Sequence, residues 1–437
     1  MKKRNFFPII LLLLLCTLLS SAASALEAPT HEAAAVLLME ENSGQVLYEY
    51  HADDRIYPAS TTKIMTALLA IEAVESGQAA LTDTVVASST AMEGLSLDGS
   101  TANIQVGEVM SYENLLSCMM VSSANEACNI LAEYIDGSVE AFVARMNQRA
   151  QELGCTGTQF TNTNGLPDEV HYTTARDLYL ITKQALSYPL FVKISNTVTT
   201  TIPKTNRSDV RILETSNELI APGSRNYYEA AAGVKTGYTS AAGSCLVSTA
   251  ANEEMQLVSI VMGIGAETEA TSFSTARAIY EWAFDSFSMQ EVLRETELIT
   301  QVSVSLGLDA DSVVLKPQST LSLLLPNDVE QADFLREIVI YSEEAGEALT
   351  APINTGAELG EIVVSYNGVP YGPIKLVANS SVDLSRTEYL KSEIAATLNK
   401  VWVRVAIIFF ALLLILYVVF VIKYNLNREK RQKSKIK

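Results

Sequence analysis

The chain has 437 residues, 48% of them hydrophobic, with 31 Lys and Arg against 50 Asp and Glu, for a net charge of −19. That length suits two or three domains with ample core material, and the acidity argues against general nucleic-acid binding, which needs clustered cations. The three histidines (His31, His51, His171) form no HExxH pair and the five cysteines no CxxC spacing. A zinc hydrolase, a metal knuckle and a disulfide scaffold are therefore unsignalled, and no cofactor or metal is expected.

Residues 1–25 read as a secretory signal: Lys2, Lys3 and Arg4, an apolar run, then Ala23-Ser24-Ala25 as a cleavage site. Cys16 would leave with it. Residues 33–50 read as two strands joined by a turn at Asn42-Ser43-Gly44. Pro58 to Val74 has helical spacing behind a proline start, and helices are expected again at Tyr112–Met120, Asn125–Ile135 and Val139–Leu153. Strands are expected around Lys235, at Cys245–Ala250 and at Leu257–Ile264, with a last helix over Ser274–Phe287. This block, 26–287, implies a mixed α/β (α+β) domain.

From 288 to 383 the texture changes to short strand-like runs separated by Gly, Pro, Asn and Asp, which suggests a small all-β domain. A helical connector, 384–404, follows. Residues 405–422 carry no charge over 18 positions, long enough for a transmembrane helix, with Trp402 and Tyr424 as interfacial aromatics. The basic tail 423–437 then falls on the cytoplasmic side by the positive-inside rule, and leaves the body outside. Divided this way, residues 26–400 hold 20 basic and 49 acidic residues, a charge of −29.

Three short motifs stand in order: Ser60-Thr61-Thr62-Lys63, Ser123-Ala124-Asn125 and Lys235-Thr236-Gly237. Each is weak alone. Ser60 and Lys63 lie about one helical turn apart on one face. A serine hydroxyl is a poor nucleophile without a base, and a lysine can serve if burial and a nearby cation lower its pKa. Lys235 could supply that cation. The plain alternatives are a helix-start hydroxyl with a solvated amine, helix capping by Ser123 or Asn125, and a strand-end turn at Lys235. Gly237 on a strand admits another backbone alongside. Within the acidic body, Lys63 and Lys235 are expected to form a small positive island. Cys118 and Cys128 flank the Ser123–Asn125 turn, where a disulfide and two buried thiols are both open readings. His171 reads as a structural loop residue.

The S-x-x-K and K-T-G pair occurs in serine β-lactamases and penicillin-binding proteins. The wider sequence resembles the low-molecular-mass penicillin-binding proteins, the serine-type D-alanyl-D-alanine carboxypeptidases. Pro58 to Thr66, Val121 to Ala127 with Phe142 and Met146-Asn147, Phe160 to Leu166, His171-Tyr172 with Thr174 to Asp177, and Gly233 to Thr239 with Ala242-Gly243 carry the likeness. It extends over about residues 30–385.

The resemblance implies the transpeptidase-like fold and a site residue by residue. Ser60 would form an acyl-enzyme with a peptidoglycan stem peptide ending in D-Ala-D-Ala, and Lys63 would be its base. Ser123 would relay a proton to the leaving amine. Asn125, Lys235, Thr236 and Gly237 would bind substrate, while the backbone N–H groups of Ser60 and Tyr238 would form the oxyanion hole. β-Lactams would be inhibitors. Two departures stand out: Ser272 precedes Phe273 where many members have an Arg thought to bind the terminal carboxylate, and a full span replaces the family's amphipathic surface helix. A D,D-endopeptidase or weak transpeptidase is a second reading, and a membrane-anchored β-lactam or peptidoglycan sensor a third. A class A β-lactamase fits less well, since no S-D-N stands in the chain.

Overall fold

The computed structural model describes residues 27–96 and 98–434, with side chains through Arg428; the signal segment and Cys16 lie outside them. The chain divides into two compact units, the second beginning at Met289.

The first unit is built on an antiparallel sheet of five strands: β1 (Ala35–Glu40), β2 (Val46–Tyr50), β3 (Ala231–Thr239), β4 (Gly243–Ala251) and β5 (Gln256–Ile264), in the order β2-β1-β5-β4-β3. All six residues of β1 are buried, and the continuous apolar run Ala35–Met39 needs cover on both faces of the sheet. Its longer helices are α1 (Lys63–Glu75), α2 (Tyr112–Val121), α3 (Asn125–Asp136), α4 (Val139–Glu152), α5 (Ala175–Leu186) and α6 (Ser272–Ser286), with a short helix over Pro189–Ser195. Helix α5 packs on β1 and β5, while α6 packs on β4 and β5. Helix α1 runs through the middle of the helical layer, touching α2, α3, α4 and α5. It is buried on nearly every side because Ile64 to Ile71 is apolar all round but for Thr66, with Lys63 at its start.

The expected strands and helices of this unit occur within a few residues of their sequence positions. Helix α5 and the hairpin of Thr199–Ile202 with Arg211–Glu214 were not foreseen. The last helix stops at Ser286 instead of Phe287, which opens a strand over Phe287–Leu293.

The second unit has a five-stranded sheet of β6 (Thr300–Ser303), β7 (Ser312–Pro317), β8 (Phe334–Ile340), β9 (Glu358–Tyr366) and β10 (Val369–Ala378), in the order β6-β7-β10-β9-β8. Its pairings are antiparallel, and Val313, Leu315, Ile362, Val364 and Leu376 form its own core. The connector is helical over Arg386–Asn399. A helix over Val401–Ser434 follows, and its stretch Val401–Arg428 is long and apolar enough to cross a membrane, with none of its most apolar window buried in the protein.

Candidate active site

Ala59–Thr62 forms one 3-10 turn that runs into α1. The helix foreseen from Pro58 therefore opens with a tighter turn, and Ser60 stands in it. Ala59 has φ +47°, a left-handed conformation that an L side chain seldom adopts. Thr61 holds the turn by donating from both its N–H and its Oγ1 to the Pro58 carbonyl, at 3.2 and 2.6 Å. Two glycines make room for it. A Cβ on Gly165 would lie 1.7 Å from the Ala59 carbonyl oxygen, and one on Gly237 would lie 2.9 Å from the Ser60 nitrogen. The backbone that Gly237 admits is thus that of the Ser60 turn.

Lys63 is fully buried, and its Nζ has three acceptors at 2.8 Å: Ser60 Oγ, Asn125 Oδ1 and the Asn164 carbonyl. These use all three ammonium protons. Burial pushes Lys63 down to about 8, against smaller upward pulls from Cys128 and Glu126. Once Lys63 loses a proton, the two amide acceptors can keep two N–H bonds, and the lone pair is left for the Ser60 hydroxyl. The acceptor loop is firmly placed. Thr66 Oγ1 donates to the Thr163 carbonyl at 2.5 Å, Thr163 Oγ1 to Asn129 Oδ1 at 2.6 Å, and Gly165 N–H to Asn162 Oδ1 at 2.7 Å.

The turn between α2 and α3 brings Ser123 and Asn125 to the same cleft. Ser123 is buried at φ +60°, and its Oγ has no partner among the described residues. Strain and an unsatisfied hydroxyl together mark a group held for something other than folding. Asn125 N–H donates to the Ser100 carbonyl at 2.9 Å. Next to it, buried Glu126 accepts from Thr101 Oγ1 and from the Ala102 and Ile104 N–H groups, which fixes the loop over that side.

Strand β3 is the sheet edge that faces the Ser60 turn. Lys235 is buried there, with Nζ donating to the Thr236 carbonyl at 3.1 Å. Burial, with the Lys63 charge adding to it, pushes Lys235 down to about 7. Neither ammonium lines the cleft, so the expected positive island lies beneath its floor. Thr236 Oγ1 and Ser216 Oγ share a hydrogen bond at 2.5 Å, and Tyr238 is exposed. Ser60, Ser123, Asn125, Asn164 and the stretch from Thr236 to Ser240 line a cleft of about 660 Å³. All eight residues singled out from the sequence thus belong to one neighbourhood. Sequence reasoning missed Asn164, Glu126 and Ser216. Asn164 acts here through a carbonyl, which leaves no mark on residue type.

Comparison with known proteins bears on this arrangement. Residues 22–266 match the peptidase family S11, D-alanyl-D-alanine carboxypeptidase. The chain belongs to that family. The D-alanyl-D-alanine carboxypeptidase DacF of Bacillus subtilis is 31% identical over 332 residues, 76% of this chain and 81% of its own. DacC of Escherichia coli is 30% identical over 351 residues, 79% and 83% of the two chains. Among solved structures, penicillin binding protein 5 from Haemophilus influenzae is 28% identical, with a TM-score of 0.60 over 82% of this chain and 99% of that one.

Within this family framework, Ser272 is fully buried and shares a hydrogen bond with Ser244 Oγ at 2.8 Å. Cys118, Cys128, Cys155 and Cys245 are free buried thiols, which settles the Cys118–Cys128 alternative; burial pushes each thiol up, to about 11 or 12. His171 is buried beneath the Ser60 turn. Its Nδ1 accepts from the Thr161 N–H at 3.0 Å, so Nε2 carries the proton and donates to Thr62 Oγ1 at 2.9 Å. Among the described residues, no His, Cys, Asp and Glu group is arranged to hold a metal.

Proposed function

We propose that the chain removes the terminal D-Ala from peptidoglycan stem peptides through an acyl-enzyme on Ser60, with β-lactams as inhibitors. The observation that carries this is the desolvated Lys63 Nζ, 2.8 Å from Ser60 Oγ and otherwise held by two neutral carbonyl-type acceptors. Neutral Lys63 takes the Ser60 proton as Oγ attacks the penultimate D-Ala carbonyl. The backbone N–H groups of Ser60 and Tyr238 hold the developing oxyanion; one such donor is worth about 10²–10³ in rate. Ser123, with its hydroxyl uncommitted, passes a proton to the leaving amine. Asn125 bonds the substrate backbone, the substrate lies along β3 beside Gly237, and Thr236 and Lys235 hold its far end.

In this reading residues 1–25 are an export signal, 26–287 the catalytic domain, 288–383 a small β domain and 384–404 a connector. Residues 405–422 form a single span, with the tail 423–437 in the cytoplasm and the catalytic body outside. The test is D-alanine release from a pentapeptide by the full chain in detergent. Ser60→Ala should abolish both release and fluorescent-penicillin labelling; release that persists in that variant refutes the mechanism. Labelling without release in the wild type would favour the sensor reading.

A further inference from the structure

The cleft carries its charge unevenly. Along β3 the lining residues Thr236 to Thr239 are uncharged, and the Lys235 amine lies beneath them with its Nζ on a carbonyl. Beside Asn125 stands Asp98, the one charged residue that lines the cleft among the described residues. Two contacts fix this placement. The Asn125 N–H donates to the Ser100 carbonyl at 2.9 Å, and a Cβ on Gly99 would lie 2.8 Å from Asn125 Nδ2. The Asp98 carboxylate is exposed and lightly used. Ser96 Oγ donates to it, and no Lys or Arg among the described residues pairs with it. That bond holds the carboxyl below its ordinary value, so it is ionised at neutral pH. A carboxylate can accept about four hydrogen bonds, so most of its capacity is free. The chain after it does not depend on Asp98 for its shape, because buried Glu126 already holds Thr101 Oγ1 and the Ala102 and Ile104 N–H groups.

We infer that Asp98 is a specificity-determining residue, which favours stem peptides whose residue before D-Ala-D-Ala carries a free side-chain ammonium. The inference rests on the acyl-enzyme reading above and narrows its substrate class. With the leaving D-Ala held by Thr236 and Lys235, the acyl part of the peptide runs past Asn125 toward Asp98. A diamino acid occupies that position of a stem peptide, and its side-chain amine is charged at neutral pH until it is acylated. Substrate and cleft then match in polarity, with a carboxylate over the buried amine at one end and an ammonium against Asp98 at the other. An ion pair in so exposed a setting contributes modestly, about threefold to fivefold in kcat/KM. It acts on peptide binding and leaves the chemistry at Ser60 as it is.

The experiment compares kcat/KM of the full chain in detergent for Nα-acetyl-L-Lys-D-Ala-D-Ala and for the same peptide acetylated on Nε as well. At about 0.15 M salt the screening length is about 8 Å, so the diffuse field of the acidic body is damped and a local charge dominates. The free-amine peptide should be favoured by at least about threefold, and Asp98→Asn should cut that ratio by half or more. A smaller wild-type ratio, or one that Asp98→Asn leaves in place, overturns the inference and leaves the carboxypeptidase reading standing. Hydrolysis of neither peptide overturns the functional reading itself. Asp98→Lys, checked for folding by its melting curve, should turn the preference toward the doubly acetylated peptide. A folded Asp98→Lys variant that still prefers the free amine refutes the role given to Asp98, and if that variant does not fold, the wild-type and Asp98→Asn ratios decide.

Discussion

Two cations packed into the first unit are treated in opposite ways. Arg211 is paired: its Nη2 donates to both oxygens of the fully buried Glu108, at 2.7 and 2.8 Å. Burial would push the Glu108 carboxyl up, but Thr205 Oγ1, the Gln105 N–H and Arg211 outweigh it and hold it below its ordinary value. Lys63 is fully buried, more deeply than Arg211, but it meets only neutral acceptors and a serine. A paired charge keeps its proton and ties the 103–108 loop to the Arg211–Glu214 strand. An unpaired amine is poised to give its proton up. Burial with a counter-ion makes structure here, and burial without one makes a base.

The sharpest way to break this contrast is to remove each cation. Lys63→Met should lower kcat/KM by about 10²–10⁴, the usual contribution of a positioned general base. It should cost no more than about 2 kcal/mol of stability, since a desolvated amine disappears and the loss comes from orphaned amide acceptors. Arg211→Met should do the reverse. It leaves Glu108 buried without its partner, at a cost of about 3–5 kcal/mol, and the protein that remains folded should keep Ser60 labelling by penicillin. Urea melts and steady-state kinetics on both variants decide the matter. A large stability loss at Lys63, or an activity loss at Arg211 with stability intact, would erase the distinction.

These two sites also show what was legible in the sequence. Ser60, Lys63, Ser123, Asn125 and the strand from Lys235 to Tyr238 could be named because motif order brought them to attention, and the mixed fold followed from apolar periodicity. The Glu108–Arg211 pair could not, because its partners are 103 positions apart with no motif at either end. Helix α5 was hidden for a related reason. Its start is set by Thr174, whose side chain accepts from the Asp177 N–H, in a polar stretch where capping speaks more clearly than hydrophobicity. The role of Gly165 was equally silent: a loop glycine in sequence, it gives the Ala59 carbonyl the space a side chain would fill.

A third buried basic group sharpens the comparison with a smaller effect. Burial pushes His171 down to about 4, so it is neutral in the folded protein at neutral pH, while it titrates near 6.5 when unfolded. Its folded pKa is depressed, so between those values the unfolded state binds the extra proton. The contribution of His171 is full above about 6.5 and is lost as the pH falls toward 4. The loss should reach about 3–4 kcal/mol once the pH has fallen below 4. Urea melts at pH 7 and pH 4.5 should show a stability decline in the wild type that is clearly smaller in His171→Gln. Parallel declines in the two proteins would mean that His171 is protonated in the fold, and the Thr161 N–H would then need another acceptor than Nδ1.

The smallest effect concerns the pH profile, and it tests whether Lys63 acts as an unpaired amine. If the neutral form of Lys63 is the base and its pKa is about 8, the reactive fraction grows nearly tenfold per pH unit below 8 and levels off above it. The second-order rate of Ser60 acylation should therefore rise about tenfold between pH 7 and pH 9. A peptide carboxamide is the right probe, because it carries no terminal charge for Lys235 to sense, so the rising limb reports on Lys63. Lys235, pushed down to about 7, is mostly neutral over the range where Lys63 titrates, so Lys235→Gln should leave the limb nearly where it is. A profile already flat at pH 7 would mean that Lys63 is deprotonated well below 8, and a limb that moves clearly up in Lys235→Gln would show that Lys235 keeps its charge while Lys63 titrates.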